Sequence, residues 1–165
     1  MKIIGIVFCL SLAIFMNAQT GDSTLYKLNK ISTTKVFLKD SSKTSFNKLF
    51  AKNKATIVML YNPECDHCEK ELEEILAHSD AFKEVNFIMA TNRPVFMVKA
   101  FAKKHQLNAR KNFTLISDQQ NALIRFFGVD GFPSMVIYNA SHKATARYIR
   151  SMVSYADILK AVNTP

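Results

Sequence analysis

The stretch Ala55-Thr56-Ile57-Val58-Met59-Leu60-Tyr61, then Asn62-Pro63-Glu64, then Cys65-Asp66-His67-Cys68, decides how this 165-residue chain is read. Seven consecutive apolar or β-branched residues fit a strand buried on both faces, which leaves no polar alternation. Asn62-Pro63-Glu64 breaks it. From Asp66 to Ser79 the apolar period becomes helical: Cys68, Leu72, Ile75 and Leu76 fall at i, i+4, i+7 and i+8, with the acids on the other face. Glu69, Glu71, Glu73 and Glu74 crowd the first turns, where the helix dipole favours negative charge. Two thiols therefore stand where a buried strand hands over to a helix.

Upstream, Val36-Phe37-Leu38 reads as a short strand and Asp40-Ser41-Ser42-Lys43 as a turn. Phe46 to Phe50 reads as a helical turn that carries Phe46, Leu49 and Phe50 inward. Downstream, Val85 to Ala90 is a second strand, and Pro94 suits the first turn of a helix running to about Leu107. Phe113 to Ile116 is a third strand, and Ser117-Asp118 offers cap chemistry for a helix over 119–127 that Gly128 ends. Met135 to Tyr138, a turn at Asn139 to His142, a return strand from Ala144 to Arg150 and a helix from Tyr155 to Val162 complete the chain. Strands alternate with helices, then a hairpin and a helix follow. That is an α/β sandwich with a mixed central sheet and helices on both faces.

Composition narrows the function classes. With 48% hydrophobic residues, 13 Phe and 5 Tyr, the chain has the material for a single-domain core and is no disordered polymer. The net charge of +9 is dispersed: eight lysines lie at intervals over residues 21–63, and six of the thirteen acids sit at 64–74 beside the cysteines. No stripe interleaves aromatics with cations, so nucleic acid is not an expected partner.

Lys2 followed by the uncharged run Ile3 to Met16 and the polar Asn17-Ala18-Gln19 has the three parts of a secretory signal. The run is too short for a comfortable transmembrane span. The expected division is a signal peptide over 1–18, cut after Ala18, a polar lead-in over 19–34 and one domain over 35–165. The chain is then exported to the periplasm and soluble after cleavage, with an uncleaved, membrane-anchored form facing the periplasm as the alternative. Cys9 leaves with the signal, so Cys65 and Cys68 act on each other or on a partner.

A thiol at a helix N-terminus meets the positive end of the dipole and unpaired amide donors, which stabilise a thiolate. Two cysteines three apart on a first helical turn can close a disulfide with little backbone movement. Cys65, fixed at the strand end, is then the nucleophile, and Cys68, carried inward by the helix, the resolving thiol. His67 between them could donate a hydrogen bond or charge to the Cys65 thiolate, while Glu64 and Asp66 repel it. A second landmark is Val129-Asp130-Gly131-Phe132-Pro133-Ser134, where a proline at a strand's start is a cis candidate.

With both landmarks, residues 35–163 resemble the thioredoxin superfamily, and most of all the extracytoplasmic thioredoxin-like proteins with an added N-terminal hairpin, such as the cytochrome-maturation thiol reductases. The resemblance implies a three-layer fold with an N-terminal strand or hairpin extension. It also implies an extracytoplasmic thiol–disulfide oxidoreductase that needs no cofactor. Its partners would be protein thiols and disulfides and a redox protein that recycles the pair. Cys65 matches the attacking cysteine, Cys68 the resolving one, Pro133 the cis-proline facing them, and Phe132 the residue whose backbone pairs with a bound substrate strand. Three departures stand out. Met59 replaces a buried strand acid that assists proton transfer, Tyr61 replaces a tryptophan, and Asp66-His67 replaces Gly-Pro. The Thr-x-x-Cys of peroxiredoxins is absent, since Asn62 lies three before Cys65. The alternative reading is a copper- or zinc-handling adaptor on the same scaffold. Against a bound metal, a zinc site wants four ligands, and beyond the thiols the chain offers only scattered His67, His78, His105 and His142.

Overall fold

The computed structural model describes residues 23–165, so the expected signal segment and its cut site lie outside them. Twelve principal elements follow one another: α1 (Ser23–Leu28), β1 (Lys35–Leu38), β2 (Lys43–Ser45), β3 (Thr56–Leu60), α2 (Asp66–Ala77), β4 (Asn86–Thr91), α3 (Val95–Lys104), β5 (Phe113–Ser117), α4 (Ala122–Phe127), β6 (Ser134–Tyr138), β7 (Ala144–Tyr148) and α5 (Tyr155–Val162). The seven strands form one mixed sheet in the order β2-β1-β5-β4-β3-β6-β7. β3, β4 and β5 run parallel, as helical crossovers require, and the pairs at both flanks are antiparallel.

β3 lies between β4 and β6, and all five of its residues are buried, which accounts for the unbroken apolar run. The alternation along it divides the core. Ile57 and Met59 face the layer of α2, α3 and α5, against Cys68, Leu72, Val98 and Ile158. Val58 and Leu60 face the other layer, against Leu28 of α1, Phe46, and Leu123 and Phe127 of α4. Each such aliphatic or aromatic side chain contributes roughly 1.5–3 kcal/mol by leaving water.

The polar segment before β1 does more than lead in. Its described part includes α1, and Leu25, Leu28 and Ile31, spaced three apart, pack against the sheet. Leu28 O accepts from the Tyr138 hydroxyl at 3.2 Å, and Asn29 Oδ1 accepts from Ala144 N at 2.8 Å. α4 begins at Ala122 rather than 119, because Asn121 is left-handed at φ +55 and Asp118 Oδ2 takes the Leu123 amide at 2.6 Å. α3 stops at Lys104, short of Leu107, where Gln106 turns left-handed at φ +54.

Register brings the two landmarks to one end of the sheet. Leu60, the last residue of β3, pairs with Ser134, the first of β6. The chain leaving β3 toward Cys65 and the chain entering β6 from Phe132-Pro133 are therefore neighbours.

Candidate active site

Beyond β3, the Tyr61 amide donates to Ala90 O at 3.0 Å, which keeps the chain on the sheet for one more residue. Asn62 then organises the turn. Its carbonyl accepts from Cys65 N at 3.1 Å, and its Oδ1 accepts from Glu64 N at 3.2 Å and from Arg93 Nε at 3.3 Å. Arg93 also reaches the Glu64 carboxylate at 3.2 Å. One of the two acids that the sequence sets against a Cys65 thiolate is thus already paired with a cation.

Cys65 is the N-cap of α2 in an extended conformation, and its Sγ accepts from Cys68 N at 3.4 Å. Its carbonyl takes Cys68 N and Glu69 N at 3.0 and 3.1 Å, closing the first turn. A thiol in the place of a capping hydroxyl receives the helix's free amides, as an anion would. The two sulfurs differ sharply in setting. Cys65 is partly exposed, whereas Cys68 is fully buried on the inner face of α2, and both are free thiols. Burial pushes the Cys68 thiol well above the ordinary range, and its hydrogen bond with Cys65 pushes the same way. Cys68 is thus the thiol that burial keeps neutral, and Cys65 is the more accessible of the two.

Phe132 is half-buried and packs against the cluster that also holds Cys65 and Cys68. The Phe132–Pro133 peptide is cis, Pro133 is buried, and its carbonyl accepts from Ser151 N at 3.2 Å. His67, by contrast, is exposed and has no side-chain hydrogen bond or ion pair among the described residues.

Two side chains have settings that the sequence does not give. The sequence sets Glu71 with the acids on the outer face of α2, yet it is 1% exposed. Its Oε2 accepts from Val153 N at 3.0 Å, while Oε1 has no partner among the described residues. Burial holds this carboxyl above its usual range, and Glu74 adds to the shift. The signal was present, because Glu71 lies three after Cys68 and four before Ile75, on the buried stripe. Tyr61 is the second. It is wholly buried, its hydroxyl unpartnered, and burial together with the nearby Cys68 sulfur raises its ionisation well beyond the ordinary. On β3 itself, Met59 lies between Met89 and Met135, so the buried carboxylate beside the thiols comes from the helix instead of the strand.

The grooves on either side of α2, one of about 360 Å³ lined by Pro63, Glu69 and Phe96, the other by Lys70, Glu74 and Met152, do not include Cys65. Cys65 is partly exposed outside both grooves. Among the described residues, no three side chains of His, Cys, Asp or Glu converge as a metal-ligand set. His78 stacks on Tyr155, and His105 sits against Phe101.

Residues 28–146 match the model of the AhpC/TSA family. No curated protein sequence matches the chain significantly. Among solved structures, a secreted disulfide oxidoreductase of Mycobacterium tuberculosis is 20% identical, with 86% of this chain and 97% of that one covered and a TM-score of 0.63. A thiol:disulfide interchange protein of the thioredoxin family from Chlorobium tepidum is 21% identical, covering 79% and 91%, with a TM-score of 0.62. A peroxidoxin of Mycobacterium tuberculosis is 17% identical, covering 78% and 90%, with a TM-score of 0.64. The fold is thioredoxin-like, as the two landmarks implied.

Proposed function

The chain belongs to the AhpC/TSA family, an oxidoreductase on the thioredoxin-like fold, and from that premise we propose that it exchanges disulfides with protein substrates outside the cytoplasm. The observation that carries this reading is the pair itself: a surface thiol capping α2, with a buried thiol one turn on that donates its amide to the first sulfur.

The Cys65 thiolate attacks one sulfur of a substrate disulfide, forming a Cys65–substrate bond and expelling the other substrate sulfur, which takes up a proton. Cys68 then loses its proton and attacks Cys65 Sγ. The second substrate thiol leaves, and the Cys65–Cys68 disulfide remains, two electrons having passed to the substrate. The proton must leave a buried thiol whose charged form is disfavoured, so a nearby acceptor matters. Glu71 supplies it, with one oxygen unpartnered among the described residues and a carboxyl that burial holds above its usual range. A dithiol redox partner restores the reduced pair, and the same steps run backwards when Cys65–Cys68 acts as oxidant. An open sulfur that lines neither groove suits a peptide segment laid across the surface better than a small enclosed substrate. The signal-like segment before Ala18 supports periplasmic delivery, which cell fractionation tests directly.

The family match favours a second reading, a thiol peroxidase. Asn62 replaces the threonine that peroxiredoxins carry three before the reactive cysteine, and its Oδ1 is already occupied by Glu64 N and Arg93 Nε. The two readings part in one assay. Catalysed reduction of insulin disulfides with negligible peroxide consumption is the expected result; rapid peroxide consumption with no insulin reduction would replace the first reading by the second.

A further inference from the structure

The segment that follows β7 crosses the mouth of the Phe132-Pro133 loop, and one residue in it has an unusual set of relations. Arg150 has φ +50, a left-handed backbone that a long side chain rarely adopts. That conformation aims its amide at Ser134 Oγ at 3.1 Å, while the Ser134 hydroxyl donates to Gly131 O at 2.7 Å. The next amide, Ser151 N, reaches Pro133 O. Arg150 is therefore fastened by its backbone to the loop that precedes β6.

Its side chain lies flat over Gly131. A Cβ at that glycine would collide with Arg150 Cγ and stand 2.6 Å from Cδ and 2.8 Å from Nε, so the glycine leaves room for the stem. The guanidinium ends beside Asp130, but loosely: Nη1 is 3.9 Å from Oδ2, and the two side chains are 66% and 71% exposed. A charge-assisted pair in full contact closes to about 2.7–2.9 Å. The backbone is fastened and the missing Cβ leaves a bed for the stem, while the guanidinium itself is exposed with its donors mostly free.

We infer that Arg150 is a specificity-determining residue of the thiol–disulfide site, whose guanidinium takes a carboxylate on the substrate segment lying along Phe132. The substrate class is proteins with Asp or Glu close in sequence to the exchanging cysteine. This rests on the reading of Cys65–Cys68 as an exchange pair for protein substrates. Planar, five-donor guanidinium suits a carboxylate, which it can bind through two parallel hydrogen bonds. Asp130 is the intramolecular competitor that such a substrate displaces, and a contact 3.9 Å long is easily exchanged for a shorter one.

The test uses two disulfide-linked peptides identical except for Asp or Lys two residues from the cysteine, reduced by the full-length mature chain. The wild type should favour the Asp peptide by about fivefold in kcat/KM, expressed in KM, the scale of one well-formed exposed ion pair. The preference should shrink in high salt. Arg150→Gly, which accepts φ +50 without strain, should treat the two peptides alike, Arg150→Lys should restore part of the preference, and Arg150→Glu should reverse it. Equal handling by the wild type, or a preference that survives in Arg150→Gly, overturns the assignment of Arg150 alone. Failure of the wild type to reduce either peptide overturns the exchange reading, and this inference with it.

Discussion

The two faces of the central sheet are built of similar residues and end with different polar accounts. Each face holds a buried tyrosine and a buried carboxyl. On the α1 and α4 side, the Tyr138 hydroxyl donates to Leu28 O, and Asp118 accepts the Leu123 amide at 2.6 Å. On the α2 and α3 side, the Tyr61 hydroxyl, Glu71 Oε1 and His105 Nε2 are buried without a hydrogen bond among the described residues. Burial raises both tyrosines and both carboxyls, so desolvation is common to the faces and bonding is what separates them. An unpaired buried polar atom costs roughly 1–3 kcal/mol; the Tyr61 hydroxyl and Glu71 Oε1 carry that cost on this side, while His105 Nε2 lies 3.7 Å from Glu69 Oε1. They lie on the side of the thiols, and Tyr61 and Glu71 each interact with Cys68. Both faces are packed with apolar side chains, and the side of the thiols is the one that leaves buried polar atoms without a hydrogen bond.

The contrast is most easily broken at the thiols. Cys68→Ser should end catalytic turnover and accumulate mixed disulfides with substrate, seen as slower bands on non-reducing gels, while Cys65→Ser should accumulate none. Equal alkylation rates of the two reduced thiols at neutral pH would remove the surface-and-buried distinction behind this expectation.

Stability measurements compare the faces directly. Tyr138→Phe leaves Leu28 O unpaired, and should cost about 1–2 kcal/mol in urea denaturation. Tyr61→Phe deletes a hydroxyl that bonds nothing, and should be neutral or slightly stabilising. Similar losses in both would erase the difference.

Glu71 adds a dependence on pH whose sign follows from its raised carboxyl. Between the ordinary carboxylate range and its own folded value, the folded chain keeps a proton that the unfolded chain has released. Its contribution to stability is thus full below the ordinary range and is lost as pH rises through the folded value. Glu71→Gln should therefore exceed the parent by on the order of 1 kcal/mol near neutral pH, with the gap closing toward pH ~4. Asp118→Asn keeps an acceptor for the Leu123 amide, and since burial raises its carboxyl too, any gain should have the same sign. Smallest of all, His67→Ala should shift the reduction potential by less than about 30 mV, since the ring is exposed and has no hydrogen bond or ion pair among the described residues.

Much of this architecture is legible in the residues. The apolar run of β3, the helical period of α2 and the Gly-Phe-Pro-Ser stretch before β6 each carry a strong local pattern, and together they locate the thiols and the loop beside them. Two features resisted. α1 was hidden because Leu25, Leu28 and Ile31 are thinly spaced among lysines and asparagines, and the partner that buries them is the far strand pair β6–β7. Glu71 was misplaced because charge was read before position. Its spacing from Cys68 and Ile75 puts it on the inner stripe, and only the Val153 amide, 82 residues on, makes that place tenable. A carboxylate in a core is readable from sequence only when its distant donor is known.

The pairing of β1 with β5 has a consequence of another kind. Phe37 and Leu38 meet Ser117 and Ile116, so the first strand of the sheet waits for one about eighty residues later in the chain. A ribosome delivers β1 and β2 long before the edge they dock on exists, and non-local pairing of this sort is entropically late. The early hairpin has only its own turn to hold it until β3, β4 and β5 have assembled. The first hairpin made is thus one that can dock only after the middle of the chain has been delivered, so the order in which the chain is made is not the order in which its sheet can be joined.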